Sequence, residues 1–374
     1  MPDGTAAADE AFGAALQRAA ASAGNLVFSP ASIAAALRMT LCGARGQTAD
    51  EIAAALHLDD PAQAADGLRL LSAGLAELPG DGLVFRAPNT MWLQAGYPVE
   101  PAFIAALRDA AAVSVRDADF MHAAEAARRE INDLIGKQTE GKINNLIAPG
   151  VLDGDTRLVL ANAIYLKSAW RYRFPEQATG DDPFHPGGDA APVGVPTMHL
   201  TENLPYLRGN GFQAVMLPYR GDRLAMIIAL PDGPLDPLPP ALADGLASLA
   251  GQVTRHRITL ALPRFRLQTA LDLVPLLREL GITLAFDRHA ADFTGITTAE
   301  QLFVGAVVHQ AYIDVDEQGT EAAAATAVTM RAMASMRRPD PITMIVDHPF
   351  VFEIIDTVTG LPLFSGRVSD PRPD

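Results

Sequence analysis

The chain has 374 residues, of which 49% are hydrophobic and 20% charged, and it carries a net charge of −15. Such a chain can bury a large core, which argues against disorder, and its acidity argues against nucleic acid and anionic membrane as partners, because both are bound through basic patches. Cys42 is the only cysteine, so thiolates cannot build an intramolecular disulfide, a zinc cage or an iron–sulfur cluster; a quiet, buried thiol is expected.

The first residues, Met1 to Glu10, are polar and acidic and lack the basic start and apolar stretch of a secretory signal, so a cytoplasmic location is expected. No run approaches the ~18 apolar residues of a spanning helix. Lys137, Lys142 and Lys167 are the only lysines in a chain rich in Ala, Gly, Pro and Arg, a usage that points to a GC-rich bacterial genome.

Helical spacing of apolar residues covers Asp9 to Ala21. Ser29-Pro30 reads as an N-cap with proline at the first helical position, opening a helix through Ile33 to Cys42 that closes at Gly43. Thr48 and Glu51 form a candidate capping box for a helix reaching Leu56. Further helices are predicted over Pro61 to Glu77, Val99 to Asp109 and Ala123 to Thr139. After about residue 155 the pattern changes to strands, at Leu158 to Trp170, Phe212 to Pro218, Leu224 to Pro231, Ile258 to Pro263, Val304 to Val315, Phe350 to Asp356 and Leu363 to Val368. A helix over Leu271 to Leu280 interrupts them. The stretches Pro175 to Pro196 and Pro231 to Pro240 read as surface loops, because each is flanked by strands that need one another to bury their faces. No internal repeat is visible, so residues 1–374 are read as one α+β domain.

Enzyme signatures are absent: there is no G-x-S-x-G, H-E-x-x-H, Walker-type loop or C-x-x-C. Gly209-Asn210-Gly211 lacks the preceding strand and following helix of a dinucleotide site and reads as a turn. The eight histidines lack metal-ligand spacing, so neither a metal nor another cofactor is expected.

One segment resists a bland reading. Glu317 to Thr329 follows a strong strand, and by propensity alone is an alanine-rich helix capped by Thr320. Read with a period of two, it places Thr320, Ala322, Ala324, Thr326 and Val328 on one small, uncharged face, and Glu321, Ala323, Ala325, Ala327 and Thr329 on the other. That alternation suits a segment that enters a sheet, because the acidic Glu321 falls on the face that water can reach and burying it unpaired costs several kcal/mol. Gly319 supplies a pivot.

This stretch resembles the reactive-loop hinge of the serpins. Asn25-Leu26-Val27-Phe28-Ser29-Pro30-Ala31-Ser32-Ile33, Asn162-Ala163-Ile164-Tyr165-Leu166-Lys167-Ser168-Ala169-Trp170, Asp347-His348-Pro349-Phe350 and Phe364-Ser365-Gly366-Arg367-Val368 resemble that family's other motifs in order, over nearly the whole chain. The resemblance implies helices packed on a large central mixed β-sheet with smaller sheets and an exposed reactive-centre loop, here about 317–341. It implies a suicide inhibitor of serine-type, and in some cases cysteine-type, endopeptidases, which acylates on the loop and traps the protease as the loop inserts. A target protease is then the partner, the inhibitor is a monomer, and the absence of a basic stripe in Pro61 to Glu77 argues against a polyanion cofactor.

By the same resemblance, Glu317, Gly319, Thr320, Ala322, Ala324 and Thr326 match the hinge. Ser29, Ser32, Asn162 and His309 match the shutter, a polar cluster beneath the opening, although singly each also reads as a cap, a first-turn residue, a strand amide or a core histidine. Trp170, Arg264 and Glu317 match the breach, where an exposed Arg264–Glu317 ion pair worth under ~1 kcal/mol is expected. Counting from Glu317 places the scissile bond at Met333-Ala334, with Met336, Arg331 and Arg337 as alternatives. Methionine fits elastase-, chymotrypsin- or subtilisin-like pockets, whereas either arginine points to trypsin-like enzymes. Two rivals stand beside this: a non-inhibitory carrier or chaperone of the same fold, and a hydrolase with a dispersed Ser/His/Asp set.

Overall fold

The computed structural model describes residues 3–20, 24–78, 83–107, 113–187, 190–320 and 340–373. Two large sheets organise them. One sheet runs in the order Leu26–Phe28, Pro362–Val368, Phe350–Asp356, Leu224–Pro231, Phe212–Pro218, Val193–Gly209, Thr254–Pro263 and Ile342–Ile345, with Gly180–Phe184 also paired to Val193–Gly209. The other, the central sheet, runs Phe265–Asp272, Ala306–Val315, Gly319–Thr320, Leu158–Ala169, Asn89–Gln94 and Val113–Ala118, with Val84–Arg86 added to Leu158–Ala169.

The central sheet is mixed. Ala306–Val315 lies parallel to Leu158–Ala169, and Asn89–Gln94 parallel to Val113–Ala118, while the remaining ladders are antiparallel. Leu158–Ala169 reads as a continuous apolar run because both of its faces are covered. Leu158, Leu160, Ile164 and Leu166 enter the main core, whereas Val159, Ala161, Ala163 and Tyr165 pack with Phe120, Ala127, Ile131 and Ile135 of the helix Phe120–Gln138.

The helix Pro30–Gly43 runs through the main core and is buried at every residue but Cys42. Its Ala- and Leu-rich sequence is largely apolar, as burial on all sides demands, and its one charge, Arg38, is buried against Asp9 at 2.6 Å. Ser29 caps it, with Oγ accepting from the Ser32 N–H at 3.1 Å, and Pro30 occupies the first turn. Cys42 is half-buried, and burial pushes its thiol up to about 11.

Several sequence expectations are corrected. Thr48 and Glu51 form no capping box: the helix starts at Gly46, Thr48 Oγ1 accepts from the Asp292 N–H at 3.0 Å, and Glu51 accepts from the Thr283 and Leu284 N–H groups. The first third is not purely helical, because Val84–Arg86, Asn89–Gln94 and Val113–Ala118 are strands. Asn89–Gln94 hides from a polarity pattern because its polar side chains are buried among partners. Within Pro175 to Pro196 lies the strand Gly180–Phe184, and the Leu271 to Leu280 helix is confined to Leu273–Glu279 because Asp272 ends the preceding strand and caps Val274. Gly209-Asn210-Gly211 is the turn expected, with Gly211 at φ +82°.

Candidate functional site

The site lies along the seam between Leu158–Ala169 and Ala306–Val315. Seven residue pairs, from Ala306 opposite Val159 to Tyr312 opposite Tyr165, join these strands directly. Beyond Tyr312 the seam divides around the two-residue strand Gly319–Thr320, in which Thr320 faces both Val315 and Ser168 and Gly319 faces Ala169. The chain reverses between Val315 and Gly319 through a turn in which Asp316 Oδ1 accepts from the Gln318 and Gly319 N–H groups at 2.8 and 3.1 Å. The backbone entering the seam is therefore antiparallel to both of its walls.

Glycine is required at 319 by close approach. A Cβ there would stand 2.1 Å from the Ser168 carbonyl oxygen and 2.7 Å from the Ala169 Cα, so no other residue enters without moving the strand. Thr320 is fully buried, and its Oγ1 lies 2.6 Å from the hydroxyl of the fully buried Tyr219. Burial pushes the Tyr219 phenol upward, so this bond joins two neutral groups. Tyr219 stacks on Trp170 with ring centroids 4.5 Å apart, and Trp170 in turn donates from Nε1 to the Asp316 carbonyl at 2.9 Å and from its backbone N–H to the Gln318 carbonyl.

Arg264 and Glu317 form the expected ion pair, with Arg264 Nε donating to Glu317 Oε1 at 2.9 Å. The expectation that the pair is exposed is corrected, because Glu317 is only 3% exposed while its partner is half in solvent. A second nitrogen of Arg264 and the hydroxyl of Thr179 also donate to the same carboxylate oxygen. Burial pushes the carboxyl upward, but the hydrogen bonds from Arg264 and Thr179 outweigh it and hold the group below the usual glutamate range.

Ser29, Ser32, Asn162 and His309 meet in the buried middle of the seam. His309 stands directly opposite Asn162 in the parallel ladder. The Ser29 N–H donates to His309 Nε2 at 3.1 Å, which places the imidazole proton on Nδ1, where it is donated to Asn162 Oδ1. Asn162 Nδ2 donates to the Ser32 carbonyl at 2.8 Å and to Ser32 Oγ at 2.7 Å. Burial holds the His309 pKa down to about 3, so the ring is neutral and this pattern of one donor and one acceptor is self-consistent. Asn89 completes the set: its Oδ1 accepts from Ser32 Oγ at 3.2 Å and from Asn162 Nδ2. Sequence reading missed Asn89, Thr179 and Tyr219; a buried asparagine in a strand gives no local signal.

Ala322, Ala324, Thr326, Arg331, Met333, Ala334, Met336 and Arg337 lie outside the described residues. Among the described residues no cluster of His, Cys, Asp and Glu is arranged to hold a metal, and no helix is long and apolar enough to cross a membrane.

A mixed central sheet in which two residues of a following segment pair between neighbouring strands, beside a buried polar cluster, defines an α+β fold. The family model described as serpin (serine protease inhibitor) matches residues 7–371, and the chain belongs to the serpin family. It is 38% identical over 353 residues to an uncharacterized serpin-like protein of Thermococcus kodakarensis, covering 93% of this chain and 81% of that one. It is 36% identical to the leukocyte elastase inhibitor of Sus scrofa over 365 residues, covering 93% and 94%. Among solved structures, Serpin48 of the insect Tenebrio molitor superposes with a TM-score of 0.82 at 28% identity, covering 98% of this chain and 97% of that one. Human thyroxine-binding globulin superposes at 0.87 with 26% identity, covering 99% of each.

Proposed function

We propose that this protein inhibits serine-type endopeptidases by offering the segment after Thr320 as a substrate and inserting it, once cut, into the seam. The observation that carries this is the register of Gly319–Thr320. Continued without a slip, the pairing of Thr320 with both Ser168 and Val315 brings Thr326 level with Asn162 and His309 together. The inserting face would then be Thr320, Ala322, Ala324, Thr326 and Val328, set against Ser168, Leu166, Ile164, Asn162 and Leu160 in the main core. Small side chains suit that face, and a hydroxyl at Thr326 would give Asn162 and His309 a partner in place of the bond that joins them. Glu321 would fall on the other face, beside Lys167. The run without bulky residues extends to Thr329, which that register sets opposite Ala306, the last row of the seam.

In chemical terms, the protease nucleophile attacks the carbonyl of the scissile residue, the peptide N–H leaves with a proton, and an acyl ester (a thioester for a cysteine enzyme) ties enzyme to loop. Insertion competes with hydrolysis of that bond. Each row entered replaces one parallel ladder by two antiparallel ones, gaining backbone hydrogen bonds, and draws the tethered protease along the molecule. Distorting one oxyanion-hole donor slows deacylation by about 100-fold. Metastability of the uncut fold follows, since cutting releases free energy the closed sheet cannot reach.

Met333-Ala334 is the proposed scissile bond, and the leukocyte elastase inhibitor relatives support an elastase-like target pocket. Because a thyroxine-binding globulin shares the fold, the fold alone does not carry inhibition; the small, uncharged hinge face does. Incubation with elastase or subtilisin, followed by boiling in detergent, is expected to leave a covalent complex. Recovery of clipped protein alone would favour a non-inhibitory carrier.

A further inference from the structure

Glu353 interrupts an apolar face. In the strand Phe350–Asp356 the alternate residues Val351, Glu353 and Ile355 point to one side, where Val351 and Ile355 pack with Ile227, Leu242, Leu246 and Leu249. Glu353 is 3% exposed, and no Lys, Arg or His pairs with it among the described residues. The arginines on neighbouring elements are engaged elsewhere, Arg18 with the Ala243 carbonyl and Asp244, and Arg367 with Asp236. The adjoining strand Leu224–Pro231 carries no charge.

What surrounds it instead is a second acid and a run of backbone N–H groups. Glu353 Oε2 accepts from the Leu246 N–H at 3.0 Å, while Glu10, half-buried on the helix Asp3–Ala19, accepts from the Ser248 N–H at 2.9 Å. The Ala247 N–H between them serves both carboxyls. Two acids fed by one such run repel each other when both are ionised, and Asp244 adds to the negative charge around Glu10.

The hydrogen bonds call for a proton on Glu353. Ser365 is fully buried directly opposite Glu353 in the ladder, and its Oγ lies 3.0 Å from Gln17 Oε1 and 3.3 Å from Glu353 Oε1. A hydroxyl has one proton to give, so both contacts are hydrogen bonds only if one of these two oxygens brings its own, and of the two only the carboxyl can. The neutral acid then donates to Ser365, and Ser365 donates to Gln17, on the same helix as Glu10. Burial, with the Glu10 charge added to it, pushes the Glu353 carboxyl up to about 8, in the same sense.

We infer that Glu353 is a proton-operated clasp: as the neutral acid it ties the sheet, through Ser365 and Gln17, to the helix Asp3–Ala19, and once ionised it sets an unpaired charge beside Glu10 and releases that helix. The folded chain keeps a proton that the unfolded chain gives up near 4.5. The contribution of the group is therefore complete below that value and is lost as pH rises toward about 8, by up to about tenfold in the folding equilibrium per pH unit.

Infrared spectra test the proton, and hydrogen exchange tests the clasp. At pH 7, where exposed carboxyls are ionised, the protein is expected to show the carbonyl stretch of a protonated carboxylic acid, a band that Glu353→Gln loses and that vanishes by pH 10. Between pH 6 and 9, amide exchange along the helix Asp3–Ala19, corrected for its intrinsic pH dependence, is expected to accelerate by about tenfold or more in the wild type. It should stay flat in Glu353→Gln, whose amide repeats both hydrogen bonds without ionising, and accelerate less in Glu10→Gln, which lacks the neighbouring charge. Absence of the band, or an identical band in Glu353→Gln, overturns the proton. Equal acceleration in wild type and Glu353→Gln overturns the clasp, and a flat wild-type profile does so without recourse to any variant.

Discussion

The two halves of the seam are held shut by different physics. At the entry, where Gly319–Thr320 lies between the strands, one closing contact is an ion pair whose guanidinium is half exposed, although Glu317 itself is buried, as are Thr320, Tyr219 and Trp170. In the middle, Ser29, Ser32, Asn89, Asn162 and His309 are all at most 1% exposed and satisfy one another. The first kind of contact exchanges readily for water; the second is worth most when complete and is costly when half-broken. The difference teaches that, on the insertion mechanism proposed above, the half-exposed ion pair is the cheaper contact to exchange, while the buried cluster would set the main barrier until an entering residue took up its hydrogen bonds.

The sharpest way to break this contrast is to obstruct the entry. Thr320→Arg places a long cation where a threonine is fully buried, a burden of several kcal/mol, and is expected to reduce covalent capture of protease by about 100-fold or more while cleavage continues. Undiminished capture, read on denaturing gels, would mean that this position never enters the sheet. Next in size is His309→Ala, which strips a partner from the Ser29 N–H and from Asn162; with about 1–3 kcal/mol for each orphaned group, a loss of about 2–6 kcal/mol of native stability is expected in denaturant unfolding. A loss below about 0.5 kcal/mol would remove the middle of the seam as a barrier.

Acid probes the same cluster more gently. His309 is held down to about 3 in the fold and titrates near 6.5 when unfolded, so between these values the unfolded chain binds the extra proton. Its contribution is intact above pH 6.5 and is lost as pH falls toward 3, by up to about 1.4 kcal/mol per pH unit. Melting temperatures of wild type and His309→Gln between pH 7 and 4 should diverge in slope, the variant's being flatter; parallel curves would show that the ring accepts a proton in place. The smallest effect is expected from Arg264→Ala at the entry, about 1 kcal/mol, since Thr179 still donates to Glu317 and water can replace a guanidinium that is already half in solvent. A penalty as large as that of His309→Ala would erase the distinction between the two halves.

Much of this seam was legible in the residues. Long apolar runs such as Leu158 to Trp170 and Leu224 to Pro231 announce strands covered on both faces, and Ser29-Pro30 announces a helix start, because these signals are local. Ser29, Ser32, Asn162 and His309 come from distant stretches and gained meaning only through the motifs they share with serpins; singly, each had an ordinary explanation. Asn89 escaped notice because its strand is short and polar, and only tertiary partners make it acceptable there. Glu317 was expected at the surface because nothing near it in sequence reveals Thr179, whose hydroxyl comes from 138 residues away and makes burial tolerable. Thr48 and Glu51 had the spacing of a cap, yet both were recruited by the chain around Thr283 and Asp292 instead.

Strand polarity gives the seam a direction. Because its two edges run parallel, a guest tethered just past Val315 and reversed by the Asp316 turn can match both edges in only one orientation. On the insertion mechanism proposed above, entry would be a ratchet fed from a single end: each row admitted would stabilise the last and expose the next, and no downstream piece could dock ahead of its turn. A one-way track of this kind would turn the proposed race against hydrolysis into a matter of how quickly the first few rows close behind the guest.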